Sequence, residues 1–227
     1  MISGVLFDFD GTLLDCMKPM QSVFVSTAAE LSSSVTEEGK NNVGENLNKV
    51  LDGKHSTLTG AVFIWRIGKF LGMPFHKRLL LVLLSYQRLR YIAYNSKIFN
   101  DAPQVLKTLK DSGIKMAIVT TRSKRETTRM LKKFSIDSYF GAVISRDDVV
   151  CGKPSPEPLI AALKTLGLKA EEAVMIGDMP TDIAAGKRAG TRTVGMNGSI
   201  FLRELIKAKP DALVNSLSEI PNVIAVL

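Results

Sequence analysis

The sequence predicts a three-layer α/β protein: a parallel sheet with helices on both faces, interrupted after its first strand by an all-helical block. Three observations predict it. From residue 99 onward, short apolar runs alternate with helical stretches of about 10–15 residues, the rhythm of a parallel sheet whose crossovers are helices. The chain opens on an apolar run, Ile2–Phe7, that stops at Asp8-Phe9-Asp10-Gly11-Thr12, a carboxylate-rich turn closing a buried strand. Between these regions, residues 16–98 carry helical periodicity and no strand pattern.

Each element follows from local chemistry. Asp101 stands where a helix N-cap belongs, before Val105, Leu106 and Leu109, and Gly113 stops that helix. Ile114–Thr120 is an apolar strand. Ser123 with Glu126 forms a capping-box pattern that opens the next helix, carrying Met130, Leu131 and Phe134. Ala142–Ile144 is a short strand. Ser155-Pro156 opens a helix that runs through Leu163 and Leu166 to Gly167. Ala173–Gly177 is a strand, Thr181–Ala189 a helix ending at Gly190, and Thr193–Met196 a strand. Ser199–Ala208 is a helix and Ala212–Val214 a last, edge-like strand.

The inserted block shows its helices at Val23, Phe24, Ala28 and Leu31, then at Val43, Leu47, Val50 and Leu51. Further helices cover Ala61–Leu71 and Leu79–Tyr94, with turns at Asp52-Gly53-Lys54 and Gly72-Met73-Pro74. The domain division expected is therefore residues 1–15 with 99–227 as a core and 16–98 as a helical insertion. The aliphatic run Leu79–Leu84 is expected to pack the core of that insertion, and Trp65 to make a core contact.

Composition narrows the class of protein. Of 227 residues 45% are hydrophobic, enough for a sizeable core. Cys16 and Cys151 lie far apart with no metal-ligand spacing, as expected of reduced thiols in a reducing compartment. No signal-peptide pattern opens the chain, and no apolar stretch reaches the roughly 18 residues that span a bilayer. A soluble, cytoplasmic protein is expected. The net charge is +8, and residues 16–98 carry 11 basic and 5 acidic residues against 19 and 17 elsewhere. Such an excess steers anions, phosphate esters included. No nucleic-acid recognition motif or aromatic platform accompanies it, so neither nucleic acid nor membrane is expected as a partner.

The chemistry lies at the strand ends. In a strand, positions i and i+2 point to the same side, so Asp8 and Asp10 can face one pocket where open α/β sheets bind ligands. Two crowded carboxylates require a cation or a shared proton. Thr120-Thr121-Arg122 follows another strand. Lys153 lies in Cys151-Gly152-Lys153-Pro154, before a helix. Gly177-Asp178-Met179-Pro180-Thr181-Asp182 ends a third strand. If the strands are parallel, all these ends share one edge. Three carboxylates, a hydroxyl and an ammonium would then converge, an inventory suited to Mg²⁺ and a phosphate group.

These four motifs, in this order at successive strand ends, resemble those of the haloacid dehalogenase superfamily, in the phosphatase branch similar to phosphoglycolate phosphatases and related pyrophosphatases. The resemblance covers residues 1–15 and about 99–200, and it implies a Rossmann-like core. It implies that Asp8 is a nucleophile forming an aspartyl-phosphate and that Asp10 is the general acid and base. Asp8, Asp178 and the backbone carbonyl of Asp10 would hold Mg²⁺. Thr120 and Lys153, with Gly11 and Thr121, would bind the phosphoryl group. Asp182 would support the metal's waters or orient Lys153. Founding dehalogenases of the superfamily do not keep an aspartate at the position of Asp10, so the likeness implies phosphoryl transfer.

Arg122 departs from the commonest family pattern, and its expected place is a surface charge in the loop before Ser123. In similar proteins the helical insertion is a cap that closes over the pocket and selects the substrate. Arg66, Lys69, Arg90, Tyr94 and Lys97 are candidate contacts there, although a solvated basic helix face is the ordinary account of such residues. His55 and His76 have no metal-ligand company. The leading expectation is a Mg²⁺-dependent phosphatase of a small phosphorylated metabolite, as a monomer or homodimer. A mutase similar to β-phosphoglucomutase, a pyrophosphatase and a non-catalytic binding module are the alternatives.

Overall fold

The computed structural model describes residues 1–31, 64–66, 68–69, 71–198 and 202–227. The chain divides into two compact units, Met1–Asp15 with Lys97–Leu227, and Cys16–Ser96. Val43, Leu47, Val50, Leu51, the 52–54 turn, His55 and the helix start at Ser199 lie outside the described residues, as does the side chain of Arg90.

The first unit is built on a six-stranded parallel sheet. Its strands are β1 (Gly4–Phe7), β4 (Lys115–Val119), β5 (Ala142–Ile144), β6 (Ala173–Gly177), β7 (Arg192–Met196) and β8 (Ala212–Val214), in the spatial order β5-β4-β1-β6-β7-β8. Val5, Leu6 and Phe7 are fully buried, as a central parallel strand covered on both faces requires. Each such side chain contributes about 1.5–3 kcal/mol of hydrophobic stabilisation. The core gathers Leu6, Val119 and Met175 from the strands with Leu159 and Leu163 from helix α5 (Glu157–Leu166).

Helices α3 (Ala102–Asp111), α4 (Lys124–Lys133), α5 and α6 (Pro180–Ala189) supply the crossovers, followed by the shorter α7 (Leu202–Lys207) and α8 (Ile220–Val226). Each long one turns a stripe inward: Val105, Leu106 and Leu109 in α3, Met130 and Leu131 in α4. Ser123 Oγ accepts the Glu126 N–H at 3.3 Å, capping α4 as the sequence indicates. Asp101 makes no such cap. Its carboxylate instead accepts the Ser218 N–H at 3.1 Å, because an αR backbone at the cap position turns the side chain away from the helix.

The sequence reading missed a small second sheet. β2 (Leu14–Asp15) and β3 (Lys97–Ile98) pair antiparallel. Lys97, read as part of the helical block, therefore belongs to a strand of the first unit.

In the second unit, α1 (Met17–Leu31) packs against α2 (Phe75–Asn95). Arg88 of α2 donates to Thr27 Oγ1 of α1 at 3.1 Å. Trp65 meets Phe75 edge to face with ring centroids 5.0 Å apart. The run Leu79–Leu84 departs from expectation: Leu81 is fully buried, but Leu79 and Leu83 are 57% and 65% exposed. A helix turns 100° per residue, so a continuous apolar run cannot face one partner. His76 is exposed. Among the described residues, no helix is long and apolar enough to cross a membrane.

Candidate active site

The register of the sheet assembles the site. Phe7 lies opposite Ile118 on one side and Ile176 on the other, so the residues just past β1, β4 and β6 emerge side by side. Asp8 continues β1 by donating its N–H to the Ile176 carbonyl at 2.9 Å. Thr120 continues β4, its N–H bonded to the Ile144 carbonyl at 2.9 Å. The tight turn after Asp8 closes when the N–H groups of Leu13 and Leu14 both reach the Phe9 carbonyl, at 3.1 and 2.9 Å. Gly11 sits there at φ 79°, a left-handed conformation that favours glycine. Its N–H is committed to the Leu14 carbonyl at 2.9 Å.

Carboxylate oxygens of Asp8, Asp178 and Asp182 lie within 4.8 Å of one another, and all three residues are buried. Lys153 reaches into this group with its side chain 4% exposed. Its ammonium lies 2.6 Å from Asp8 Oδ1 and 2.6 Å from Asp182 Oδ1, and donates to the Val119 carbonyl at 3.0 Å. Asp182 Oδ2 in turn accepts the Met179 N–H at 3.0 Å, which fixes the carboxyl plane. Gly177 makes room for it: a Cβ there would fall 2.2 Å from Asp182 Oδ2 and 2.5 Å from its Cβ.

The electrostatics follow from three buried carboxylates sharing one ammonium. Burial pushes the Asp8 carboxyl up from 3.8 to about 7; Lys153 pulls it back, while Asp182 and Asp10 add to the rise. Burial, then the charges of Asp8 and Asp182, lifts Asp178 well above the ordinary carboxylate range. Burial opposes the charge on Lys153, but Asp182 and Asp8 outweigh it and hold the ammonium above its usual value. The cluster carries more negative than positive charge. Its donors are hard oxygens, so its chemistry fits a divalent cation such as Mg²⁺.

Of the residues singled out in the sequence, Asp8, Lys153, Asp178 and Asp182 are brought into direct proximity. Asp182, placed behind the ligands by the sequence reading, stands in the same carboxylate group as Asp8 and Asp178. Thr120 is buried at the adjacent strand end, and its Oγ1 accepts the Arg122 N–H at 3.2 Å. Thr121 is exposed. The Asp10 carboxylate is bound elsewhere, to a residue that the sequence reading placed at the surface.

That residue is Arg122, and the surface expectation is corrected. Its side chain is only 10% exposed, and it grips Asp10 with two prongs, Nε to Oδ2 at 2.7 Å and Nη2 to Oδ1 at 2.6 Å. Nη1 also lies 3.2 Å from Met130 Sδ. A guanidinium two residues past a strand-end hydroxyl, on the sheet edge that bears Asp10, was the available signal. The charge pairing was not inferred because 112 residues separate the partners.

The family model for haloacid dehalogenase-like hydrolases matches residues 5–196. The chain belongs to this family. Among its relatives, pyrophosphatase PpaX of Bacillus cereus (strain AH820) is 30% identical, covering 96% of this chain and 94% of that protein. Pyrophosphatase PpaX of Halalkalibacterium halodurans is 28% identical, covering 99% and 98%. Among solved structures, a predicted phosphoglycolate phosphatase from Haemophilus somnus 129PT superposes with a TM-score of 0.71 at 20% identity, over 98% of this chain and 97% of that one. This haloacid dehalogenase-like hydrolase thus shares its fold with proteins of the same architecture over nearly its whole length.

Proposed function

We propose that this hydrolase is a Mg²⁺-dependent phosphatase acting on a small phosphorylated metabolite through a covalent intermediate on Asp8. The observation that carries the reading is the contact of Lys153 with Asp8 inside a buried group of three carboxylates. An ammonium here opposes the burial that favours protonation of the Asp8 carboxyl, and an ionised carboxylate is a nucleophile.

An Asp8 oxygen attacks phosphorus, the bond from phosphorus to the leaving oxygen breaks, and the leaving oxygen receives a proton that the Asp10 carboxylate has first taken up from solvent. Water then attacks the phosphorus of the aspartyl-phosphate. Asp10 takes the water's proton, and the carboxylate of Asp8 is restored as phosphate departs. Thr120 and Lys153 bind the phosphoryl oxygens. In the resting site the Lys153 ammonium is shared among Asp8, Asp182 and the Val119 carbonyl, so an incoming phosphoryl oxygen replaces one of these partners. Mg²⁺ would be held by Asp8, Asp178 and the Asp10 backbone carbonyl, and would neutralise charge on the transferring group.

The resemblance of the motifs to those of phosphoglycolate phosphatases favours phosphoglycolate as the substrate, and the relatives named pyrophosphatases favour pyrophosphate as a second reading. Turnover of p-nitrophenyl phosphate tests the chemistry. Activity is expected with Mg²⁺, and none with EDTA or in Asp8→Asn. Activity retained by Asp8→Asn would remove the covalent mechanism. Initial rates on phosphoglycolate, pyrophosphate and sugar phosphates then rank the substrates.

A further inference from the structure

We propose that Arg122 is the positioning residue for Asp10: its guanidinium fixes the orientation of the carboxyl that exchanges protons with the leaving group and with water. The inference rests on the phosphatase reading above and adds to it a residue that nothing in the family motifs assigns.

The backbone of Asp10 is already fixed. It lies within the turn closed by Leu13 and Leu14 on Phe9, and it forms a bridge with Leu14. What the turn leaves open is the side-chain rotamer. Arg122 closes that freedom with two parallel hydrogen bonds, a planar fork matched to a planar carboxylate. The fork is itself held. Its guanidinium carbon lies 6.0 Å from the centre of the Phe9 ring and Nη1 lies against Met130 Sδ. The Arg122 N–H reaches Thr120 Oγ1, and the Arg122 carbonyl accepts the Arg146 N–H at 3.1 Å. One residue therefore ties the phosphate-binding hydroxyl and the proton-exchanging carboxyl into a single unit.

Stability alone does not account for the pair. Desolvating two opposite charges costs about as much as their attraction returns, and an apolar pair of similar volume would hold the loops as well. Orientation is what a two-pronged pair gives and an apolar pair does not. Asp10 keeps 24% of its side chain exposed, so the pair is not sealed away from solvent.

The test is the dependence of kcat/KM on leaving-group acidity, measured on the whole protein with Mg²⁺ across substituted phenyl phosphates from p-nitrophenyl to unsubstituted phenyl. A p-nitrophenolate leaves without a proton; a phenolate gains more from one. With Arg122→Met, kcat/KM for phenyl phosphate is expected to fall about 10²-fold, the scale of general-acid assistance, with a much smaller loss for p-nitrophenyl phosphate. Arg122→Lys, which keeps charge but not the fork, is expected to fall between. In an Asp10→Asn background neither change should steepen the dependence further. An equal loss across the series, a rise in KM with kcat unchanged, or additive losses in the double variants would overturn the proposal. If Arg122→Met does not fold, Arg122→Lys with and without Asp10→Asn decides alone. Loss of the phosphatase reading looks different: wild type would turn over no member of the series, or Asp8→Asn would remain active.

Discussion

Replacing Asp8 should make the metal-free protein more stable. Asp8 is buried beside two other carboxylates, and lifting its carboxyl from 3.8 to about 7 means that its charged form is disfavoured by about 4 kcal/mol in the fold. The sign follows from proton linkage. A carboxyl that binds its proton more tightly folded than unfolded contributes most where both states are protonated, and its contribution is lost as pH rises from about 4 through about 7. Asp8→Asn cannot ionise and so escapes the penalty. Lys153, deprived of Asp8, keeps Asp182 and the Val119 carbonyl as partners.

In EDTA at pH 8, Asp8→Asn is therefore expected to exceed wild type by about 2–4 kcal/mol. For a chain of this size that is a rise in Tm of roughly 5–10 °C. The gap should narrow toward pH 5, where the wild-type carboxyl takes up its proton. Saturating Mg²⁺ should shrink the variant's lead by stabilising wild type, about 2.7 kcal/mol at a hundredfold excess over Kd, while leaving the variant little changed. Thermal melts of both proteins at pH 5 and 8, with EDTA and with Mg²⁺, give the four comparisons. A variant no more stable than wild type at pH 8 in EDTA, or a gap that widens on acidification, would refute the reasoning.

Three further outcomes are expected. Lys153→Met leaves Asp8, Asp178 and Asp182 facing one another without the ammonium, so chemical denaturation at pH 8 in EDTA should show a loss of about 3–5 kcal/mol, together with loss of turnover. Gly177→Ala drives a methyl group against the Asp182 side chain; denaturation should register a loss of about 1–3 kcal/mol. The displaced carboxyl should also lower kcat about 10²-fold in the p-nitrophenyl phosphate assay. Thr120→Val removes a hydroxyl that accepts one backbone N–H, so stability should fall by only about 1 kcal/mol. Its kcat/KM should fall about 10²–10³-fold if that hydroxyl meets the developing charge on phosphorus.

The parts of the fold that could be read in advance are those set by local chemistry. The strand at 173–177, the α4 cap at Ser123 and Glu126, and the Gly167 and Gly190 stops each depend on residues within a few positions of one another. What escaped depends on partners far along the chain. Two-residue strands such as β2 and β3 have no periodicity to detect, and only their mutual pairing defines them. Asp101 has the residue type of a helix cap, but a distant N–H at Ser218 claims it. Leu79–Leu84 is apolar by composition, yet a helix exposes part of any unbroken run.

The site itself shows why strand order matters more than motif order. From β1 the chain first builds outward on one side through β4 and β5, then crosses to the other side for β6, β7 and β8. Asp8 thus ends the strand at which the direction of winding reverses, and adjacent crossovers diverge there to leave a crevice. Its neighbours on the two sides are the strand ends bearing Thr120 and Asp178, although these lie more than a hundred residues away in sequence. The same reversal places Asp10 beside the loop after β4, where Arg122 reaches both its oxygens. The acidic group around Lys153 and the paired Asp10 and Arg122 are consequently two solutions to one problem, crowded carboxylates at the centre of a sheet edge. The first keeps an excess of negative charge that a divalent cation can meet; the second is neutral, and what it fixes is direction.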